Sequence, residues 1–292
     1  MVNIYEQISN NKRQSFGIIS LFLLFIIGAV YFISQATNNP ELLPIAILFS
    51  TGSSLISYFA GDKIVLGLNG AKPALRKEFF DFYTVTENLS MAAKIPVPKI
   101  YVIESEAMNA FASGRDPDHA VICATTGLLS KLNRTELEGV VAHELSHIKN
   151  YDIRLMTIVS ILIGTLSILI NISSRSLFFR SRDNDRNSNG LMAVLGIVMI
   201  IFAPIIAQLI QLAISRRREF LADASAVMLT RQPGGLINAL KKISADPNIM
   251  TSASTATASL YINNPFKGNK IASLFSTHPP IEDRIKALEG KE

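Results

Sequence analysis

Two histidines flank a glutamate near the middle of the chain, in the stretch His143-Glu144-Leu145-Ser146-His147. On an α-helix, residues i and i+4 lie on one face, one turn apart. His143 and His147 can therefore bind the same Zn²⁺, and Glu144 between them can take a proton from a water at that metal. The alternative is a surface helix that carries two histidines by chance. The chain has only 4 histidines, and two of them at ligand spacing around a glutamate favour the metal site.

The residues around this motif predict an amphipathic helix. Thr135 and Glu138 match a capping box, in which the hydroxyl accepts from the first turn and the carboxylate reaches back. Apolar residues then recur at helical spacing at Leu137, Val140, Val141, Leu145 and Ile148. The histidines are thus expected well inside a helix with a defined start.

A catalytic zinc needs a third protein ligand and an open position. Asn150 and Ile153 stand where a metzincin pattern would have glycine and histidine, and the chain has a single cysteine. The best remaining candidate is Glu219, with Asp223 four residues later able to fix the tautomer of a ligating histidine. The spacing leaves an alternative open, namely a helix at the membrane interface whose acids pair with the arginines at 216–218.

The composition is that of a membrane protein. Of 292 residues, 49% are hydrophobic and 17% charged, with a mean hydropathy of +0.31, whereas soluble domains carry about 25% charged residues. The net charge is +5. The basic residues cluster beside apolar segments, which favours lipid head groups over nucleic acid as partners.

Four apolar segments approach or exceed the length that spans a bilayer. They cover residues 17–34, 42–60, 155–172 and 191–214, and none contains Asp, Glu, Lys or Arg. We expect the first to be a retained anchor, because its apolar core is longer than that of a usual signal peptide. The lack of ionisable groups argues against a transporter or channel, since transport sites usually need such groups at depth.

Basic residues beside these segments predict the orientation of the chain. They place the N-terminus, residues 61–154 and residues 215–292 in the cytoplasm. The loop 173–190 disagrees, because it carries four arginines but would lie outside. The third and fourth segments can therefore be either two full spans or a hairpin that does not cross completely, and we favour four spans.

The predicted organisation places an apolar hairpin inside a polar domain, so that residues 143–147 and 219–223 can meet. Within the polar part we expect a helix over 71–93 and strands over 99–103, 109–113 and 120–125. The predicted parts are an N-terminal transmembrane helix pair at 1–61, the first part of a catalytic domain at 62–154, a transmembrane hairpin at 155–214 and the second part of the catalytic domain at 215–292.

Residues 143–152 resemble the active-site helix of HtpX-type membrane metalloproteases, which are relatives of the eukaryotic CAAX prenyl protease. The resemblance extends to the motifs at 106–112, 218–223 and 276–284 and, with four membrane segments in matching order, covers nearly the whole chain. It implies an α+β membrane protein with four transmembrane helices. These would accompany a mainly helical, zincin-like (gluzincin) catalytic domain with a small sheet.

The resemblance also implies the roles of individual site residues. His143, His147 and Glu219 would ligate one Zn²⁺ per chain, and Glu144 would be the general base. Asp223 would hydrogen-bond a ligand.

Three further residues gain a role only through the resemblance. Asn109 would lie on or beside the strand that holds an extended substrate. His278 and Arg284 would contact the substrate and the transition state. Without the resemblance they would be interpreted as a turn former, a residue of a rigid loop and a residue on a solvent-exposed helix face.

The implied function is that of a zinc-dependent integral membrane endopeptidase. Its substrates would be misfolded or damaged membrane proteins, cleaved at the cytoplasmic surface of a bacterial inner membrane during stress and quality control. Its role would overlap with that of other quality-control proteases. The alternatives are a CAAX-type processing protease, expected to have more membrane segments, and a non-proteolytic module that holds unfolded membrane segments.

Overall fold

The fold is mainly helical and carries one small mixed sheet, as predicted. The structure is a computed structural model, and it describes residues 4–37, 40–165, 216–250, 257–263 and 279–290. The helices are α1 (Ile4–Thr37), α2 (Leu42–Leu68), α3 (Phe80–Ala93), α4 (Thr126–Lys131), α5 (Arg134–Lys149), α6 (residues 152–165), α7 (Arg216–Thr230), α8 (Pro233–Ala245) and α9 (Ile281–Leu288). The strands are β1 (Lys72–Pro73), β2 (Lys99–Ile103), β3 (Ala110–Gly114) and β4 (Ala120–Thr125).

The sheet has the strand order β1-β2-β4-β3. Strand β4 is central, parallel to β2 and antiparallel to β3, and every residue in it is buried. A short apolar run is typical of a strand covered on both faces. The strands predicted at 99–103 and 120–125 are found at those bounds, and the third begins one residue later than predicted, at Ala110.

The helix predicted over 71–93 begins only at Phe80, so its first part was wrong. Lys72 and Pro73 instead form β1, which pairs antiparallel with Tyr101 and Val102 of β2. Proline has no amide hydrogen, and its ring disfavours a helical conformation at the preceding residue. The segment therefore has an extended conformation and adds one edge strand to the sheet.

The capping box of α5 lies two residues earlier than predicted. Asn133 Oδ1 accepts from the amide of Glu136 at 3.0 Å, and Glu136 Oε2 accepts from the amide of Asn133 at 2.9 Å. Asparagine is at least as good an N-cap as threonine. The predicted partner Glu138 instead lies 3.4 Å from Arg134 Nε.

Helix α5 forms the centre of the polar part of the molecule. It is buried along most of its length and packs against α3, β3, α7 and α8. Gly139 permits the contact with α8, because a Cβ there would lie 2.6 Å from the amide nitrogen of Leu236. This packing on several sides holds the histidine motif in one place.

Helices α1 and α2 run through the first two predicted membrane segments. Within the described residues, one helix is long and apolar enough to cross a membrane, Leu43–Leu68, judged by length and composition. Leu155 and Leu162 of α6 pack in one apolar cluster with residues of α1 and α2. Residues 166–215, with the rest of the third segment and all of the fourth, lie outside the described residues. Four spans therefore remain a prediction.

Candidate metal centre

His143 and His147 are stacked on the buried face of α5. The two side chains are 0% and 5% exposed, and their Nε2 atoms lie 3.2 Å apart. The rings stand nearly perpendicular, with centroids 4.7 Å apart. The one-turn spacing predicted from the sequence is therefore realised, and both Nε2 atoms point to a common position.

Helix α7 brings Glu219 to the same position. Its Oε2 lies 3.6 Å from His143 Nε2, and its Oε1 lies 3.5 Å from His147 Nε2. Glu219 is buried on the side of α7 that packs against α5. The predicted meeting of residues 143–147 with 219–223 is confirmed, although the two stretches are far apart in sequence.

The far nitrogen of each imidazole meets a buried carboxylate. His143 Nδ1 lies 2.9 Å from Asp223 Oδ1, and His147 Nδ1 lies 3.0 Å from Asp152 Oδ2. A carboxylate accepts hydrogen bonds, so each of these contacts favours a proton on Nδ1 and leaves Nε2 as the nitrogen that can bind a metal ion at the shared position. Asp223 was predicted for this position by the sequence, and Asp152 was missed.

The position of Asp152 depends on a break in the chain after α5. Tyr151 has a φ of 60°, so the chain turns there before α6 begins at Asp152. A helix that continued through residue 152 would keep 147 and 152 on different faces, since five residues exceed one turn. The sequence feature that could have indicated Asp152 is its position as an acid just after the histidine motif, within the stretch 143–152 that carries the resemblance.

The three side chains fit a tetrahedral metal. Ligand atoms at about 2.0–2.1 Å from such a metal lie roughly 3.4 Å from each other, and the observed separations are 3.2, 3.5 and 3.6 Å. Two imidazoles and one carboxylate are a ligand set of catalytic zinc sites, which keep a fourth position open. His143, His147 and Glu219 can therefore hold a metal ion.

Asp152 is itself held by the N-terminal helix. Asn11 of α1 donates through Nδ2 to Asp152 Oδ1 at 2.7 Å and to the carbonyl of Asn150 at 2.9 Å. Arg218 Nη1 donates to Asn11 Oδ1 at 3.5 Å. No local pattern singles out Asn11, which lies 141 residues before Asp152.

Arg284 of α9 fixes Asp223 on the opposite side of the cluster. Its Nε and Nη2 donate to the two carboxylate oxygens at 2.8 and 2.6 Å, and the side chain is fully buried. Its Nη1 lies 3.9 Å from Glu219 Oε2 and has no hydrogen-bond acceptor among the described residues. The helix face that carries Arg284 is thus buried against the cluster and is not exposed to solvent.

These charges shift the pKa values of the cluster. Burial alone would lower the pKa of His143, but hydrogen bonds to Asp223 and Glu219 raise it to about 9 in the metal-free protein. Burial alone would raise the pKa of Asp223, but the Arg284 guanidinium and the bonds to it hold this pKa at about 2. Asp223 is therefore an acceptor at neutral pH.

Glu144 is buried on α5 beside His143. It belongs to the group of carboxylates, with Asp223 and Glu219, that raise the pKa of Arg284 although burial would lower it. The carboxylate of Glu144 therefore lies close enough to the cluster to influence its charges. The predicted role as a base stays a prediction that this placement allows.

Asn109 lies immediately before β3, and its side chain bonds to the protein itself. Its Nδ2 donates to the carbonyl of Asn263 at 2.9 Å, and its Oδ1 accepts from the amides of Ala110 and Asn263. The carbonyl of Ala110 also accepts from the amide of Ile262. A substrate contact by Asn109 stays a prediction, and His278 lies outside the described residues.

Comparisons with known proteins identify relatives of this chain. Residues 77–292 match the model of "Peptidase family M48". A "Protease HtpX homolog" of Dictyoglomus turgidum is 42% identical over 285 residues, which are 97% of this chain and 93% of that protein. A "Protease HtpX homolog" of Streptococcus uberis is 41% identical over 293 residues, 98% of this chain and 99% of that protein. The crystal structure of S. mikatae Ste24p aligns at 21% identity with a TM-score of 0.47, over 93% of this chain and 64% of that one.

Proposed function

Because this chain belongs to peptidase family M48 and is a membrane metalloprotease, we propose that it is a zinc-dependent endopeptidase that cleaves misfolded or damaged membrane proteins at the cytoplasmic membrane surface. The observation that carries the proposal is the buried triad of His143, His147 and Glu219, with atom separations that suit one tetrahedral ion. Zinc is the proposed metal, because its catalytic sites use this ligand set.

The protein residues prepare the ligands before any substrate binds. Asp223 and Asp152 hold the Nδ1 protons, so that both Nε2 atoms are free to ligate. A zinc ion held by His143, His147 and Glu219 would polarise the scissile carbonyl and make a nearby water more acidic. Glu144 takes the proton of that water and later delivers it to the leaving amine.

Two side chains, Arg284 and His278, are proposed to stabilise the negative charge that develops on the carbonyl oxygen. Arg284 Nη1 lies 3.9 Å from Glu219 Oε2 and has no hydrogen-bond acceptor within the described part of the chain, and His278 is the second proposed donor. Loss of one such donor costs about 100- to 1000-fold in rate. Substrate is proposed to lie extended along β3 close to Asn109, because main-chain hydrogen bonds to a strand bind any sequence.

The membrane location is proposed from α2 and the basic flanks of the apolar segments. Residues 61–154 and 215–292 would lie in the cytoplasm of a bacterium, with four spans in the inner membrane. The name "Protease HtpX homolog" of its relatives supports a role in membrane protein quality control. Overlap with other quality-control proteases is part of this proposal.

The test is cleavage of an unfolded membrane protein by the purified enzyme in detergent. Glu144→Gln should retain the metal but lower the cleavage rate by about 100- to 10,000-fold, the contribution of a general acid–base group. Glu138→Gln on the same helix is the matched control and should cleave normally, since among the described residues the ion pair of Glu138 is with Arg134. Full cleavage by Glu144→Gln would refute the mechanism, and a metal-bound wild type that holds but never cleaves unfolded segments would favour a binding module.

A further inference from the structure

A basic cavity of about 210 Å³ lies between α2 and α6, away from the metal centre. It is open to solvent on one side and is lined by parts of both helices and by the end of β3. Its charged lining residues are Asp62, Lys63, Lys99, Arg115 and Arg154, with His119 at the edge. Four permanent cations thus face one carboxylate, and the cavity suits an anion.

Arg154 forms the inner wall of this cavity. Its side chain is 7% exposed, and its Nε donates to the carbonyl of Arg115. The guanidinium lies over the rings of Tyr58 and Tyr151, at 5.7 and 5.0 Å from their centroids. No carboxylate within the described ranges forms an ion pair with it. A buried cation without a counter-charge is strongly unfavourable, so an anion in the cavity would stabilise Arg154.

Asp116, beside the cavity, is already paired with other residues and does not neutralise Arg154. The carboxylate of Asp116 lies 3.6 Å from Arg115 Nε and 2.6 Å from His119 Nδ1. Lys63 and Lys99 lie at the rim and are exposed. An anion that enters the cavity would therefore meet the buried Arg154 and the two exposed lysines.

The cavity lies where two apolar helices leave their membrane segments. It is lined by residues 57–63 of α2 and by residues 154–158 at the start of α6. On the preceding turn of α2, Leu55, Ile56 and Phe59 are between 53% and 59% exposed. Aromatic residues at this level are typical of the interface between lipid head groups and hydrocarbon. The exposed apolar surface beside the cavity offers a place for acyl chains.

We infer that this cavity binds the phosphate of an anionic phospholipid, with Arg154 beneath the phosphate, Lys63 and Lys99 around the head group and the acyl chains along α2. Basic pockets between membrane helices on the cytoplasmic side are known to bind such head groups. The inference rests on the proposed insertion of α2 into a bilayer, and it does not depend on proteolysis.

The test measures lipid binding by the full-length protein in a neutral detergent. Cys123 is the single cysteine and is buried, so a thiol-reactive fluorescent dye reports the temperature at which the core opens. Dioctanoyl phosphatidylglycerol, dioctanoyl phosphatidylcholine and inorganic phosphate are titrated separately. We expect phosphatidylglycerol to raise the unfolding temperature at concentrations at which the other two have no effect.

The decisive variant is Lys63→Gln with Lys99→Gln, because both lysines are exposed and their replacement should not impair folding. It should weaken phosphatidylglycerol binding by roughly 10- to 30-fold, whereas Lys77→Gln, an exposed lysine outside the cavity, should not. An equal effect of phosphatidylcholine, an equal effect of inorganic phosphate or unchanged binding by the double variant would each overturn the inference. None of these results bears on the protease assay.

Discussion

The side-chain amide of Asn11 donates a 2.7 Å hydrogen bond to one carboxylate oxygen of Asp152. The other carboxylate oxygen of Asp152 accepts a hydrogen bond from Nδ1 of His147 at 3.0 Å. Asn11 lies on α1, just before the first apolar segment, and is 3% exposed. One buried chain of hydrogen bonds therefore connects the N-terminal helix to a metal-binding imidazole. We therefore expect the orientation of His147 to depend on the position of α1 relative to α5.

The first prediction tests this connection. Asp152→Asn should weaken zinc binding by about 10- to 100-fold, the usual effect of losing a partner of a ligating histidine. Asn11→Leu should cause a smaller loss in the same direction, because Asp152 keeps its bond to His147 but loses its support. Zinc affinity is measured by competition with a chelator. Ser15→Ala is the control, since its hydroxyl donates to the carbonyl of Asn11 and, in the described ranges, to no residue of the metal centre. If Asn11→Leu binds zinc as tightly as the wild type, α1 does not position the site.

The second prediction concerns the third ligand. Glu219→Ala should lose bound zinc, because two imidazoles alone leave the ion without its carboxylate. Glu282→Ala, which removes an exposed acid from the first turn of α9, should keep one zinc per chain. Metal content is determined on folded protein, with folding checked by circular dichroism. A folded Glu219→Ala protein with full zinc occupancy would remove Glu219 from the ligand set.

The third prediction concerns the stability of the metal-free protein against pH. The pKa of His143 rises from an ordinary 6.5 to about 9 on folding, so the folded state binds this proton more tightly than the unfolded state. The resulting stability is complete below pH 6.5 and is lost as the pH rises through about 9. The unfolding temperature of chelator-treated protein, followed by dye labelling of Cys123, should therefore fall between these values. His143→Gln should show a smaller fall, and an identical pH profile in both proteins would contradict the prediction.

The fourth prediction concerns the contact between α5 and α8. Gly139→Ala would place a methyl group 2.6 Å from the amide of Leu236, so the two helices must separate. The expected cost is about 1–3 kcal/mol of unfolding free energy. Gly234→Ala adds the same methyl group where nothing lies within 4 Å, and its stability should not fall. Equal unfolding temperatures for the two variants would show that α5 can shift without cost.

The local pattern of the sequence was sufficient to place the two histidines one turn apart, with Glu144 between them, and to predict most of the sheet. A one-turn spacing on a helix and a short apolar run in a strand depend on neighbouring residues alone. The helix starts were less predictable. The N-cap of α5 is Asn133 and not the predicted Thr135, since both residue types can cap a helix. The helix before β2 is shorter than predicted, because Pro73 lies in the edge strand β1.

By itself the sequence determined the spacing of His143 and His147, the position of Glu144 between them and, through its motifs, the resemblance to membrane metalloproteases. The spacing left Glu219 open between a zinc ligand and a surface acid. Only the tertiary structure placed it opposite both imidazoles, joined Arg284 to Asp223 across 61 residues and brought Asn11 to Asp152. Such contacts depend on how helices pack over long separations in the chain, and no local periodicity encodes them.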